Sequence, residues 1–469
     1  MNRAEVDSLD KTALVELVLR QAERIAQLEA RLAEQEQRLA ELERRAVRGA
    51  APFARPESKR SPSPKRPGRK GGHEGLFRVR PPDEEVDCRI EVPLERCPHC
   101  GDRLTVERDQ VIEQTIIEVP PLRPQVIRLV THRNVCCGCG QDVSSSHPLQ
   151  VSTACGAAGT HLGPRALAVA ANLNKGLGLT MRKTCAVLRE LAGLKLSPGG
   201  LAQALARIAG RLESEDDALL KGLKAEPVLH ADETSWWVAR SGFSLWVLTN
   251  QAGTCYRVVS SRSRAQAEVL LGDYQGVLVS DCLNIYDGLT PHQHKCYAHH
   301  LKAISKALED PRARRSDYLS DLRALLQGAM ALKAVMTALP PAQVALARQS
   351  LETSADRLLS SPRTVVDAAE AAPVEEKVRE RLRKQRDHLF TFLDHPAVDA
   401  TNNRAERELR PAVISRKLSC GNKTDSGART WEILASLAAT CRLTGCSFVD
   451  FLIPRLILAP SQARAATSR

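Results

Sequence analysis

Aromatic side chains are scarce: Phe, Tyr and Trp make up 3% of the 469 residues, and there are only four Met. Aliphatic packing and helices are therefore expected to dominate the core. No apolar run reaches the roughly 18 residues that a membrane span needs, which argues against a membrane-embedded protein. The opening MNRAEVDSLDK mixes both charges and lacks the apolar stretch of a secretory leader, so a cytoplasmic location is expected. Fourteen cysteines are dilute in so long a chain, and four of them form Cys-x-x-Cys pairs. Metal binding in a reducing compartment fits this usage better than a disulfide scaffold.

Hydrophobic residues reach 43%, enough for a large core, and the length suggests two to four units. Lys and Arg (67) exceed Asp and Glu (55), a net charge of +12. This excess points to a polyanionic partner, nucleic acid first.

The chain divides by composition. Residues 1–46 carry a heptad repeat with Val18, Ile25, Leu32, Leu39 and Ala46 at a, and Gln21, Leu28, Gln35 and Leu42 at d. Arg24, Arg31, Arg38 and Arg45 occupy g, and Glu29, Glu36 and Glu43 occupy e. These signs match across a parallel pair of helices, so a homodimer or higher oligomer is expected, weakened by the glutamines at d. Residues 47–75 follow; within them 48–72 set eight Lys or Arg against Glu57 alone, amid Pro, Gly and Ser, which reads as a basic flexible linker. Residues 76–150 turn to short strands, with a β-hairpin expected from QVIEQTIIEV to QVIRLVTHRNV. Residues 151–224 read as helices, including MRKTCAVLREL and GGLAQALARIAGRL, a pair with weak helix-turn-helix character. Residues 225–455 open with three β-runs, a helix and the run GVLVSD, the start of an RNase H-like α/β core, and hold an all-helical insertion at about 300–395. Residues 456–469 read as a flexible tail. The expected fold class is thus multidomain, α+β and α/β: coiled coil, zinc ribbon, helical DNA-binding region and RNase H-like core.

Cys97-Pro-His-Cys100-Gly and Cys136-Cys-Gly-Cys139-Gly are two knuckles, each followed by glycine. A tight turn aims both thiolates of a pair at one point, and glycine relieves the backbone there. Four thiolates complete a closed tetrahedral Zn²⁺ site with no position for water, which makes it structural. Cys88, Cys137 and His99 fall outside the ligand spacing.

Asp232 lies in LHADETSWW, on the first strand of the α/β region, and Asp281 ends GVLVSD. If those strands are parallel neighbours, both carboxylates reach one edge of the sheet. Glu406, in NNRAERELRP, sits on a helix loaded with Arg404, Arg407 and Arg410, with Arg416 and Lys417 further along. Three carboxylates of this kind can bind two Mg²⁺ or Mn²⁺ ions, the arrangement for in-line attack at a phosphodiester. Each has a plainer reading: Asn403-x-x-Glu406 fits a capping box, and either aspartate fits a strand-end turn. Glu233, Asp287 and Glu408 are alternative acids.

The two knuckles together with HADETSWW, VSDCLNIYD, KCYAHH and NNRAERELRPAVISRKLSCGN resemble the large DDE transposase of the insertion sequence 66 family. The resemblance covers nearly the whole chain and is most specific around Glu406. It implies that Asp232, Asp281 and Glu406 form the acidic triad. It implies an enzyme that cleaves at element ends and joins the freed 3′-hydroxyl to target DNA, with divalent metal at the acids. The basic residues Arg404, Arg407, Arg410, Arg416 and Lys417 are then candidates for binding the terminal repeats and the target. Companion proteins from the same element are further expected partners, and the bacterial nucleoid is the expected location. The resemblance also includes a Cys-x-x-His after the second aspartate, matched by Cys296 and His299, for which a structural or DNA-positioning role is expected. The rival readings are an RNase H-like nuclease without strand transfer and a domesticated zinc-ribbon DNA-binding regulator.

Overall fold

The computed structural model describes residues 79–103, 112–150, 161–239, 241–310, 313, 316–360 and 372–457, with six positions between 24 and 35. Those six, Arg24, Gln27, Leu28, Glu29, Arg31 and Gln35, are helical and exposed. The rest of the heptad repeat, the basic linker and the tail after Pro460 lie outside the described residues. The chain forms two compact units, Met1–Ile117 and Glu118–Arg469.

In the first unit the first knuckle turns at Gly101, and a 3₁₀ turn spans Asp83–Glu85. Arg80 and Arg89 both reach Glu113, at 2.5 and 3.3 Å. Its apolar residues Val79, Ile90, Val92, Ile112 and Ile116 are exposed.

The second unit begins with an antiparallel pair, β1 (Arg133–Val135) and β2 (Asp142–Ser144), that flanks the second knuckle. This corrects the hairpin expected from the alternating sequence, since residues 112–132 carry no strand. Alternation forms a strand only where one face can be buried, and here the side chains of both parities are exposed.

Helices α1 (Pro164–Ala171), α2 (Met181–Ala192), α3 (Pro198–Arg211) and α4 (Glu213–Ala225) follow. Thr180 and Ser197 cap α2 and α3 by accepting the N–H of Lys183 and Gly200. Gly193 ends α2 at a φ of +64°, which favours glycine. The central sheet has the order β5-β4-β3-β6-β7. Its strands are β3 (Val228–Val238), β4 (Ser241–Thr249), β5 (Thr254–Val259), β6 (Val277–Ser280) and β7 (His292–Lys295). The first three are antiparallel, and β6 and β7 run parallel to β3. Helix α5 (Arg264–Leu271) links β5 to β6. β6 is buried on both faces, which is why it reads as an unbroken apolar run.

Alternate residues of β3 serve opposite faces. Leu229 and Ala231 pack with Trp246, Ala267 and Leu271 on the α5 side. Trp236 and Val238 pack on the other side against two long C-terminal helices, α10 (Asn403–Ser419) and α11 (Asp425–Thr444). Between β7 and α10 lies the expected helical insertion: α6 (Tyr297–Ala307), α7 (Asp317–Val335), α8 (Pro341–Ser360) and α9 (Ala372–Lys384), around a core that includes Ile304, Leu322, Leu326 and Phe392. Helices α1 to α3 share their core with α11 and the final helix α12 (Phe448–Leu456), so the helical stretch before the sheet packs on the chain's C-terminal end. Among the described residues no helix is long and apolar enough to cross a membrane.

Candidate active site

Asp232 and Asp281 meet because of register. His230 of β3 pairs with Val279 of the parallel β6, so two residues further along stand Asp232, still on β3, and Asp281, just past the end of β6. Both are half-buried. One oxygen of each is fixed by a backbone N–H: Asp232 accepts from Glu233 at 2.8 Å and Asp281 from Leu283 at 2.9 Å. Carboxylate oxygens of Asp232, Glu233 and Asp281 all lie within 4.8 Å of one another.

Three acids this close repel one another. Burial first, then Glu233, Asp281 and Glu406, push the Asp232 carboxyl up to about 7. Glu233 is also raised by burial, but its charge has partners. Arg262 Nε donates to it at 2.7 Å, the Arg262 Nη2 adds a second contact, and the Tyr286 hydroxyl donates to its other oxygen. Glu233 is thus neutralised by the fold, whereas among the described residues no cation pairs with Asp232.

Glu406, on α10, is close enough to add to the charge acting on Asp232, but its carboxylate groups with Cys296 and His299 and not with the two aspartates. The helix start is held by Asn402, which is fully buried. Asn402 Nδ2 donates to Ala231 O at 2.8 Å, next to Asp232, and Asn402 Oδ1 bonds His230 Nδ1 at 3.1 Å. The other end of α10 is tied down too. Gly421, at φ +83°, lets the backbone close on Trp237, and Asn422 accepts from Trp236 Nε1 at 2.9 Å. The capping-box reading of Glu406 is not realised, because the N-cap is Asn402 and it makes no side-chain cap bond. The alternative acids are engaged elsewhere: Asp287 with Lys295 and Gln385, and Glu408 with Arg442.

Of the basic candidates, Arg407, Arg410 and Lys417 are exposed on α10. Arg404 is half-buried, 3.4 Å from Asn250 O. Arg416 is committed to β3, donating to the Thr234 hydroxyl at 3.2 Å, the Ser235 hydroxyl at 2.6 Å and the Ser235 carbonyl; its position clamps α10 to the sheet. Arg262, Tyr286 and Asn402 escaped the sequence reading. The one signal for Asn402 is its place before an Arg-rich helix, and none marks Arg262 or Tyr286.

The two cysteine knuckles adopt the same turn. Gly101 N–H donates to Cys97 O at 2.9 Å and Gly140 N–H to Cys136 O at 2.8 Å, with the glycines at φ +80° and +69°. Backbone N–H groups aimed at the first sulfur, from Cys100 and His99 in one knuckle and from Cys139 and Gly138 in the other, hold Cys97 and Cys136 below the usual thiol range. That environment fits a thiolate bound to a cation. Cys97 and Cys100 belong to the first compact unit, Cys136 and Cys139 to the second.

A family model described as the Transposase IS66 family matches residues 159–430, which include all three acids. The chain belongs to this family. Among curated relatives, the uncharacterized protein y4hP of Sinorhizobium fredii is 25% identical over 444 residues, covering 85% of this chain and 75% of y4hP. Two more proteins of that organism match over short segments. They are y4qI, 35% identical over 68 residues, and y4jO, 32% identical over 81 residues. Those segments cover 14% and 17% of this chain but only 13% of y4qI and 25% of y4jO.

Proposed function

We propose that this IS66-family chain is a DNA transposase with an RNase H-like catalytic core. In this reading Asp232, Asp281 and Glu406 hold divalent metal for cleavage at element ends and strand transfer into target DNA. The observation that carries it is the pair of aspartates brought together by the parallel pairing of β3 and β6, with no cation among the described residues beside Asp232. The strand order, antiparallel on one side of β3 and parallel on the other, supports the RNase H-like assignment. The donor set is oxygen only, as Mg²⁺ or Mn²⁺ prefers, and the charge crowding at Asp232 is what a bound cation relieves.

Bound there, two divalent ions would activate a water or 3′-hydroxyl and stabilise the leaving oxygen. The chain's own residues do the positioning. Backbone N–H groups orient Asp232 and Asp281, and Asn402 sets the height of α10 and hence of Glu406. Arg262 and Tyr286 keep Glu233 occupied, leaving the triad to the cations. Arg407, Arg410 and Lys417 meet phosphates, together with the basic linker at 47–75. The knuckles bind one structural Zn²⁺, and the heptad segment pairs protomers so that two DNA ends are held together. Companion proteins of the same element and the nucleoid complete the setting.

The test is cleavage and joining of DNA carrying the element's terminal repeats. Asp232→Asn, Asp281→Asn and Glu406→Gln should each abolish both steps with end binding nearly unchanged, since an amide keeps the volume and removes the charge. A folded Asp232→Asn or Asp281→Asn protein that still cleaves would overturn the assignment. Cut ends without joined products would instead make the chain a nuclease.

A further inference from the structure

Glu406 has a second set of neighbours. The sulfur of Cys296, a ring nitrogen of His299 and a carboxylate oxygen of Glu406 all lie within 4.8 Å of one another. Cys296 is the N-cap of α6, His299 is in the first turn of that helix, and Glu406 is in the first turn of α10. The Cys296 sulfur accepts the N–H of Asn402 at 3.1 Å, so the residue that fixes α10 on β3 also fixes this thiol. Cys296 is buried, while His299 and Glu406 are half-exposed, so the triangle opens towards solvent.

His299 Nδ1 is buried and makes no hydrogen bond among the described residues. Nearby buried histidines have polar partners: His230 faces Asn402 Oδ1, and His294 stands between the carbonyls of His388 and Ala400, to one of which its N–H donates. A buried ring nitrogen without a partner calls for one that the protein atoms do not supply. Thiolate, imidazole and carboxylate together are a zinc donor set, whereas Mg²⁺ takes oxygen alone. Tetrahedral zinc with bonds of about 2.0–2.3 Å sets its ligands about 3.3–3.8 Å apart. Side-chain rotation of roughly 1 Å at His299 and Glu406, both on helix first turns, closes the difference.

We propose that Cys296, His299 and Glu406 bind one zinc ion, with the fourth position open to water or a further ligand. This site is separate from the cysteine knuckles and rests on none of the proposed DNA chemistry. If the proposed triad is right, Glu406 serves both sites through its two oxygens, and zinc fixes the carboxylate beside Asp232 and Asp281.

The experiment is metal analysis of the full-length protein, purified without chelator, alongside its folding by circular dichroism. Cys296→Ser and His299→Ala should each lose one zinc equivalent per chain relative to wild type. Cys97→Ser should leave that equivalent in place. Glu406→Gln should weaken zinc retention against a competing chelator by about tenfold or more, the scale on which site residues tune affinity. Zinc content equal to wild type in folded His299→Ala overturns the proposal, and this variant decides the matter if Cys296→Ser does not fold. Because the readout is metal content, a lack of DNA cleavage by the wild-type protein bears on the transposase reading and leaves this one standing.

Discussion

Removing the charge of Asp232 should stabilise the metal-free protein. In the native state burial and the neighbouring acids move its carboxyl from an ordinary 3.8 up to about 7. The native state therefore keeps a proton that the unfolded chain gives up near 3.8, and stability falls as pH rises between these two values. A pKa displaced by one corresponds to about 1.4 kcal/mol, so the full penalty above pH 7 is about 4 kcal/mol. Asp232 is only half-buried, and solvent screening brings the expectation to about 2 kcal/mol. For a core of this size that corresponds to a rise of about 4–8 °C in melting temperature for Asp232→Asn at about pH 8. Asn still accepts the Glu233 N–H, so no other bond is lost. Below about pH 3, where both the native and the unfolded carboxyl hold their proton, the two proteins should melt together. Adding Mg²⁺ at pH 8 should raise the wild type towards the variant and leave the variant unmoved. The assay is thermal melting of EDTA-treated protein across this pH range. Coincident melting curves of wild type and Asp232→Asn at pH 8 would refute the charge crowding at this edge.

Other outcomes follow from the same geometry. Arg262→Ala strips Glu233 of its cation and should cost about 1–3 kcal/mol in denaturant melts, less than for a fully buried pair because Arg262 is half-exposed; adding Glu233→Gln should recover part of it. Asn402→Ala loses the bonds to Ala231 and His230 and should cost about 2–3 kcal/mol, while removing end cleavage and sparing end binding. Replacing Arg407 and Arg410 by Ala should weaken binding to end DNA and lower the slope of log affinity against log salt by about one for each phosphate no longer neutralised. A slope unchanged by the double substitution would take α10 out of the DNA interface.

Most of the core was legible because its signals are local. PVLHADETSWWV, SLWVLTN, TCYRVVSS and GVLVSD carry their strand character in β-branched and apolar runs, and each is a strand where expected. The insertion and the helices around Arg404 and Trp431 followed from helical periodicity. QVIEQTIIEV misled because alternation records a capacity for burial, and its described residues, 112–119, are all exposed.

The sequence by itself determined the strands and helices of the central sheet and its flanking helices, where the cysteine turns fall, and which acids and bases the chain offers. What it left open was which acids share a point in space. On paper Asp232, Asp281 and Glu406 led, with Glu233, Asp287 and Glu408 as alternatives. The register of β3 on β6 brought Asp232 to Asp281, and the sheet's two faces gave Glu233 to Arg262 and Tyr286. Asn402 fixed the start of α10 on β3, and Glu406 came to lie beside Cys296 and His299. Charge repulsion, neutralisation and metal affinity all depend on distances of a few ångström between residues as much as 174 positions apart, and only tertiary packing sets such distances.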